Sequence, residues 1–414
     1  MKNRLVASVV FLISTMVLPA VSASAATVAP PKKPHSKSRH VTDSPSTQRK
    51  IARSQHSSRT TANASSSTKV VATGKKKGKK KYYERFSGNS FASDQVDGDI
   101  TTGEDPIVRA AAIEALGNMN GTVVSIDPDS GRVLAMVNQK LALSAGAQPC
   151  STIKVAVALA ALSENIITKD TEIQLGRYYR MDLTSALAHS NNAYFAALGQ
   201  KLGFERVSYY AHQYGLGELA GWQIPGERLG AFPTIELDSK LGGVGKMCSF
   251  GESISMTPMQ LGALMAAIAN GGTLYYLQHP TTVEDIANFT PKVKRKLDIE
   301  SIIPEISDGL SGAVEYGTAR YLRTSFMEEP ILGKTGTCSQ NGTRFGWFAS
   351  YANTEYGRIV TVFFLKGGRP TFGPKAAELA GHFYRNLYDH DYFAVKTSTV
   401  PVRTSGANAV GVMH

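Results

Sequence analysis

The apolar segments of this 414-residue chain change their spacing along the sequence, and this change restricts the fold more than any other feature. Short β-branched runs at 122–126 and 133–137 flank a turn-forming cluster and predict a β-hairpin. Segments with helical spacing lie on both sides of this hairpin, at 106–119, 151–164, 183–202, 204–214 and 257–270. Strand patterns return at 331–337, 344–351 and 358–365, and a last helical pattern follows at 373–388.

Strands at both ends of a sequence with helices between them favour an α+β fold. The sequence therefore predicts one antiparallel sheet, built from N-terminal and C-terminal segments, flanked by helices and carrying an inserted helical lobe. A crevice is expected between the sheet and the lobe. We predict that this folded domain spans 84–395 and that 396–414 is a disordered tail.

The first 25 residues have the pattern of an export signal. Lys2 and Arg4 precede an apolar run at 5–18, and 23–25 supplies the small residues of a cleavage site. The alternative is an uncleaved membrane anchor, because the run is only slightly shorter than a spanning helix of about 20 residues. Either interpretation predicts an extracytoplasmic protein, in the periplasm or cell envelope.

The net charge of +12 comes from the segment that follows this signal. Residues 27–81 contain 15 Lys or Arg and one acidic residue, whereas 82–414 contain 28 Lys or Arg and 32 acidic residues. A segment so polar cannot bury enough apolar surface to fold, so 26–83 is predicted to be a disordered basic linker. Its lysines at 75–81 predict contact with anionic lipid or wall polymer, the alternative being a plain spacer. Nucleic acid is not an expected partner, since export removes it from reach.

The strongest chemical feature is Ser151 followed by Lys154 at the start of a helical segment. Residues three apart on a helix share one face, so the two side chains can meet. A serine hydroxyl becomes a good nucleophile when a neighbouring base takes its proton, and lysine can be that base only as a free amine. Desolvation and a second cation lower the pKa of a lysine towards the working range.

A second motif, Ser190-Asn191-Asn192, follows the first at a distance that allows both to face one site. The Ser190 hydroxyl could relay a proton between Lys154 and a leaving group. Asn192 could hold Lys154 and a substrate amide by hydrogen bonds.

A third motif, Lys334-Thr335-Gly336-Thr337, ends an apolar strand. On a strand Lys334 and Gly336 point one way and both threonines the other. Gly336 is expected to leave room for a substrate backbone. The N–H of Thr337 is expected to pair with that of Ser151 as an oxyanion hole.

These three motifs, in this order, resemble those of the penicillin-binding protein transpeptidase family, S-x-x-K, S-x-N and K-T-G-T. The resemblance covers about residues 100 to 390, and the further segments that share it are 105–116, 121–128, 131–136, 224–227, 251–260, 266–272 and 317–319. It implies the fold shared by serine β-lactamases and penicillin-binding transpeptidases.

The resemblance also implies a peptidoglycan D,D-transpeptidase that forms an acyl-enzyme on Ser151 and is inhibited by β-lactams. Lys154 would be the general base, Ser190 the proton relay and Asn192 the positioning residue. In the family the K-T-G-T lysine and threonines bind the substrate carboxylate, which implies this role for the residues at 334, 335 and 337. Peptidoglycan stem peptides would be the substrates. No metal or organic cofactor is implied.

Three alternatives remain open at this point. A D,D-carboxypeptidase uses the same residues with water as acceptor. A serine β-lactamase needs a carboxylate that activates water, and in one class this is a glutamate downstream of the S-x-N motif. Glu227 lies at a comparable distance from Ser190-Asn191-Asn192, although the residues around it fit the transpeptidase pattern better. A non-enzymatic β-lactam sensor needs several membrane spans, and only one hydrophobic segment of that kind is present.

Two cysteines depart from the family pattern. Cys150 stands where the residue before the nucleophile is usually Gly, and Cys338 follows the K-T-G-T motif. Because the amides of their neighbours must converge, we hypothesise a Cys150–Cys338 disulfide, which an extracytoplasmic location permits. The alternative is two small buried side chains with free thiols.

The segment before residue 84 is too short and polar for the glycosyltransferase domain of bifunctional family members. The resemblance therefore implies a monofunctional domain on a tether, with a separate glycosyltransferase supplying the glycan strands.

Overall fold

A computed structural model describes residues 86–354 and 357–394 of the protein. The predicted signal or anchor at 1–25, the linker at 26–83 and the tail at 396–414 lie outside these residues. Among the described helices, none combines the length and the apolar character needed to cross a bilayer.

The centre of the fold is an antiparallel sheet of five strands in the order β2-β1-β9-β8-β7. The strands of the described residues are β1 Gly121–Ile126, β2 Val133–Val137, β3 Ile173–Gly176, β4 Tyr179–Met181, β5 Thr273–Tyr275, β6 Val293–Lys296, β7 Ile331–Gln340, β8 Thr343–Thr354 and β9 Gly357–Gly367. The N-terminal hairpin pairs with β9, so both ends of the chain build one sheet, as predicted. Strand β7 forms an edge of this sheet, and β3–β4 and β5–β6 are separate two-stranded ribbons.

Helices cover both faces of this sheet. They are α1 Pro106–Leu116, α2 Gln139–Ala142, α3 Ile153–Ser163, α4 Leu183–Ala188, α5 Asn192–Leu202, α6 Phe204–Gln213, α7 Gly243–Phe250, α8 Pro258–Ala269, α9 Val283–Ala287, α10 Ile303–Glu315 and α11 Gly373–Asp389. The predicted α+β class, with an antiparallel sheet flanked by helices, is confirmed.

Two hydrophobic layers hold the sheet between the helices. Successive strand residues face opposite sides, so Val123 packs with α1 and α11, whereas Val124 packs with α3 and α8. Phe363 and Phe364 on β9 divide between the same two layers. Because both faces are buried, these strands are mainly apolar and do not alternate with exposed polar residues.

The predicted helix at 183–202 is wrong in one respect, because the chain forms two helices there. Ser190 has a φ of 55°, in the left-handed region that interrupts an α-helix. The side chain of Asn191 then caps α5 by accepting a hydrogen bond from the Tyr194 N–H at 2.9 Å. The break turns the S-x-N segment into a loop between α4 and α5.

Candidate active site

The nucleophile motif lies on a tight turn held against the sheet. A single 3₁₀ turn, Cys150–Thr152, leads directly into α3. The Thr152 hydroxyl donates to the Pro149 carbonyl at 2.7 Å, and the Trp347 indole N–H donates to the Gln148 carbonyl at 3.0 Å. Trp347 is fully buried on β8, so this bond fixes the turn to the sheet.

Lys154, in the first turn of α3, is 0% exposed and gathers the predicted residues around its amine. Its Nζ lies 3.0 Å from Ser151 Oγ, 3.1 Å from Ser190 Oγ, 2.8 Å from the Ser190 carbonyl oxygen and 2.6 Å from Asn192 Oδ1. The structure thus brings together four residues that the sequence assigned to one site.

Burial controls the charge of this amine. Desolvation, followed by repulsion from Lys334, lowers the pKa of Lys154 to about 6. Desolvation alone lowers the pKa of Lys334 to about 7, and its Nζ donates to the Thr335 carbonyl at 3.2 Å. Lys154 is therefore largely a free amine near neutral pH.

The partners of Lys154 also orient its lone pair. A neutral amine has two N–H donors and one lone pair, while a carbonyl and an amide oxygen only accept. The Ser190 carbonyl and Asn192 Oδ1, at the two shortest distances, therefore take both N–H groups. The lone pair is left for the hydroxyls of Ser151 and Ser190, so the amine can accept a proton from Ser151.

The K-T-G-T motif occupies the edge strand β7 with the predicted alternation. Lys334 is buried on the face directed towards Lys154. On the opposite face, the Thr337 hydroxyl accepts from the Gly373 N–H at 2.8 Å, and the Thr335 hydroxyl lies 2.6 Å from that of Thr318.

These threonine hydroxyls keep donor capacity. A hydroxyl that accepts one hydrogen bond still has its own proton to donate. The Thr337 hydroxyl accepts one hydrogen bond and keeps its own proton. The Thr318 and Thr335 hydroxyls use one of their two protons in the hydrogen bond between them, and the second proton stays available. Thr318 was not assigned a role from the sequence, although it lies in the segment 317–319 that carries the family resemblance.

The expected role of Gly336 requires correction. A Cβ at this position would lie 2.8 Å from the Pro149 carbonyl oxygen and 3.1 Å from Thr152 Cγ2. The space beside Gly336 is therefore filled by the nucleophile turn and is not free for a substrate backbone. The glycine lets the turn approach β7.

The hypothesis of a Cys150–Cys338 disulfide is confirmed in the structure. The two sulfurs are bonded and the Cα atoms are 5.5 Å apart, across 188 residues of sequence. Cys248 is a free thiol in the described chain, and burial raises its pKa to about 12, which makes it unreactive.

Glu227, the residue considered for a β-lactamase, is committed to its own loop. Its carboxylate accepts hydrogen bonds from the backbone N–H groups of Ala220, at 2.9 Å, and Gly221, at 3.0 Å. Within the described residues, the hydrogen bonds of Lys154 involve serine, asparagine and backbone atoms, and Glu227 is not among its partners.

A serine facing a buried lysine, on a turn beside the edge of an antiparallel sheet, defines the class of serine acyl-transfer domains. The family model of the penicillin binding protein transpeptidase domain matches residues 121–388, and the chain belongs to this family. The resemblance inferred from the three motifs is thereby confirmed.

Individual relatives are distant. Stage V sporulation protein D of Bacillus subtilis is 27% identical over 52% of this chain and 35% of its own length. Peptidoglycan D,D-transpeptidase MrdA of Acinetobacter baumannii is 22% identical over 76% of this chain and 56% of its own length. The chain thus spans between a third and three fifths of these two relatives.

The fold has a counterpart among solved structures. A chain of a peptidoglycan synthase complex that coordinates polymerization and crosslinking matches with a TM-score of 0.57 and 24% identity. The match covers 71% of this chain and 62% of that one, and it shows a common transpeptidase-like fold.

Proposed function

We propose that this protein is a peptidoglycan D,D-transpeptidase that cross-links stem peptides through an acyl-enzyme on Ser151. The observation that carries the proposal is the Lys154 amine, buried, with its pKa lowered to about 6 and 3.0 Å from Ser151 Oγ. Membership of the transpeptidase domain family supports it.

Acylation begins with neutral Lys154. It takes the hydroxyl proton as Ser151 Oγ attacks the carbonyl of the penultimate D-alanine of a stem peptide. The N–H groups of Ser151 and Thr337 stabilise the negative charge that develops on the carbonyl oxygen. The C–N bond to the terminal D-alanine then breaks. The leaving amine receives the proton from Lys154 through the Ser190 hydroxyl, which lies 3.1 Å from Nζ.

Transfer to the acceptor reverses these proton movements. An amine of a neighbouring stem peptide attacks the ester carbonyl and gives a proton, through Ser190, to Lys154. The ester C–O bond breaks, and Ser151 regains its hydroxyl proton. Asn192, bonded to Lys154 at 2.6 Å, keeps the base in position and is close enough to the site to bind a substrate amide.

The carboxylate of the stem peptide is the group that Lys334, Thr335 and Thr337 would bind. The lysine supplies positive charge, and the available hydroxyl protons supply hydrogen bonds. β-Lactams carry a carboxylate in an equivalent place, so we expect them to acylate Ser151 and remain bound.

The cellular setting is part of the same proposal. We place the domain at 84–395 outside the cytoplasm, secreted or held by the segment 1–25, with 26–83 as a linker that contacts membrane or wall polymer. A separate glycosyltransferase would supply the glycan strands. Nucleic acid has no role in this setting.

The nucleophile is tested by intact mass of the full-length protein after incubation with benzylpenicillin over hours. Wild type is expected to gain one drug mass and keep it, whereas Ser151→Ala gains none. Ser239→Ala, at an exposed serine, is the matched control and should react like wild type. Absence of an adduct in wild type contradicts the proposal, and return to the free mass with consumption of drug identifies a β-lactamase.

The acceptor is tested with a synthetic stem peptide, offered with and without a second peptide that carries a free side-chain amine. A cross-linked dimer that forms only with Ser151 intact supports the transpeptidase. Release of D-alanine without any dimer, at every amine concentration, identifies a D,D-carboxypeptidase.

A further inference from the structure

The Cys150–Cys338 disulfide joins the two segments that carry the proposed oxyanion donors. Cys150 immediately precedes Ser151, and Cys338 immediately follows Thr337. The Cα atoms of the cysteines are 5.5 Å apart, although 188 residues separate them in sequence. The covalent link therefore lies one residue from each proposed donor.

Contacts on either side of Thr337 define how the two segments run together. Gly336 lies against the nucleophile turn, where a Cβ would be 2.8 Å from the Pro149 carbonyl oxygen. Cys338 is bonded to Cys150. The backbone 336–338 therefore runs beside the backbone 149–152. Thr337 lies between the Gly336 contact and the disulfide, next to the turn that carries Ser151.

Few other bonds keep the turn at the edge of the sheet. Strand β7 pairs with β8, and the turn lies against the face of β7 that carries Gly336 and Cys338. Among the described side chains, the Trp347 indole holds the turn through the Gln148 carbonyl at 3.0 Å. Because Trp347 lies on β8, this hydrogen bond does not fix the distance between the turn and β7. That distance depends on packing and on the disulfide.

The backbone conformation at Cys150 is unfavourable for a residue with a side chain. Its φ of 54° is in the left-handed region, which favours glycine and is costly for other residues. The disulfide to Cys338 holds the turn in this conformation. Removing the cross-link while keeping a side chain at position 150 should therefore let the turn relax away from β7.

We propose that the disulfide is a positioning element for the acyl transfer itself. It fixes the distance between the N–H groups of Ser151 and Thr337, so that both reach the oxygen that becomes negative in the tetrahedral intermediate. This inference rests on the proposed function of Ser151. It predicts an effect on the acylation step and little effect on the binding that precedes it.

The test measures acylation of the full-length protein by a chromogenic cephalosporin in rapid-mixing experiments, which separate the dissociation constant from the acylation rate constant. In Cys150→Ser/Cys338→Ser we expect the rate constant to fall about tenfold to a hundredfold, since loss of one oxyanion donor costs about a hundredfold or more. The dissociation constant should stay within about twofold. Wild type treated with a phosphine reductant should show the same loss, and the double variant should not respond to it.

A second variant separates positioning from folding. Cys150→Gly/Cys338→Ser also lacks the disulfide but relieves the left-handed backbone, so it should recover part of the rate. Cys248→Ser, which keeps the disulfide, is the control and should match wild type before and after reduction.

An unchanged acylation rate constant in reduced wild type or in the serine double variant would overturn the inference. So would an equal loss in binding and rate, which indicates general loosening of the site. Failure of untreated wild type to acylate at all is a different result, because it contradicts the function of Ser151 and not the role of the disulfide.

Discussion

At the scale of single residues, the site depends on two lysines that are buried without a carboxylate partner among their described hydrogen bonds. Lys154 and Lys334 are both 0% exposed, and their hydrogen bonds go to hydroxyl, amide and carbonyl groups. A carboxylate beside Lys154 would stabilise the ammonium form and raise its pKa. Burial, followed by repulsion from Lys334, instead produces the free amine of Lys154 that can accept the Ser151 proton.

The pH dependence of acylation should report this free amine. Because Lys154 must be neutral, the second-order rate constant for β-lactam acylation is expected to rise with pH through about 6. Above about pH 7 it should fall again, because Lys334 loses the positive charge that binds the β-lactam carboxylate. In Lys334→Met the repelling cation is absent, so the pKa of Lys154 rises. The rising limb of the pH–rate profile then moves to higher pH. Measurements from pH 5 to 8 with one β-lactam check both profiles, and an unshifted limb in Lys334→Met contradicts the coupling.

Burial of Lys334 should also cost stability, with a defined sign. Its pKa falls from 10.5 in the unfolded chain to about 7, so the unfolded state binds more protons between these values. The loss of unfolding free energy is absent above pH 10.5, grows as the pH falls and reaches its full value below pH 7. Lys334→Met is therefore expected to raise the melting temperature by about 3 °C or more at pH 6.5 and by less at pH 9.5.

Thermal unfolding at the two pH values measures this difference. Lys201→Met, at an exposed lysine of α5, is the control and should change the melting temperature by less than about 1 °C at either pH. A gain for Lys334→Met that does not depend on pH would show that packing, and not the buried charge, is responsible.

At the scale of elements, the sequence predicted the long periodic segments well and their interruptions poorly. The spacing at 183–202 is continuous, yet Ser190 breaks it because tertiary contacts hold its carbonyl 2.8 Å from Lys154 Nζ. Propensity cannot reveal this, since serine rarely adopts a positive φ without such contacts.

The two longest helices that were not predicted, α7 and α10, were missed for a related reason. Helix α7 begins with Gly243 and contains Gly245, while α10 contains Pro304 and Gly309, and such residues lower helix propensity. Gly245 and Gly309 permit close packing, against Ala196 and Leu187 respectively. The motif residues, by contrast, were found because fixed spacing and chemistry identify them without knowledge of packing.

The approach of the nucleophile turn to β7 gives a prediction at this scale. Gly336→Ala places a Cβ 2.8 Å from the Pro149 carbonyl oxygen, so the turn must move or β7 must bend. We expect a loss of stability of about 1–3 kcal/mol and a slower acylation of Ser151. Gly176→Ala is the control, because its Cβ would meet the nearest atom at 3.8 Å. Denaturant unfolding and acylation rates measure both effects, and a variant equal to the control would contradict this contact.

At the scale of the whole molecule, the site forms where segments distant in sequence converge. The nucleophile turn precedes α3, the S-x-N loop joins α4 to α5, and the K-T-G-T motif lies on β7 in the C-terminal part of the sheet. The helical lobe is inserted between the strands of the sheet, and the disulfide closes this insertion at the site. Any loosening between lobe and sheet would therefore separate the motifs from one another.

This arrangement predicts that the disulfide contributes to global stability as well as to position. It closes a loop of 188 residues, and by the chain-entropy argument such a loop is worth about 5 kcal/mol in the oxidised protein. Urea unfolding of Cys248→Ser, with and without a phosphine reductant, measures the difference without interference from the third thiol. We expect a lower midpoint after reduction with a similar or steeper slope, because the reduced unfolded chain exposes more surface.

Equal midpoints would show that packing alone holds the lobe on the sheet. A lower midpoint with unchanged acylation below the transition would assign the bond to stability and remove its role in positioning Ser151 and Thr337.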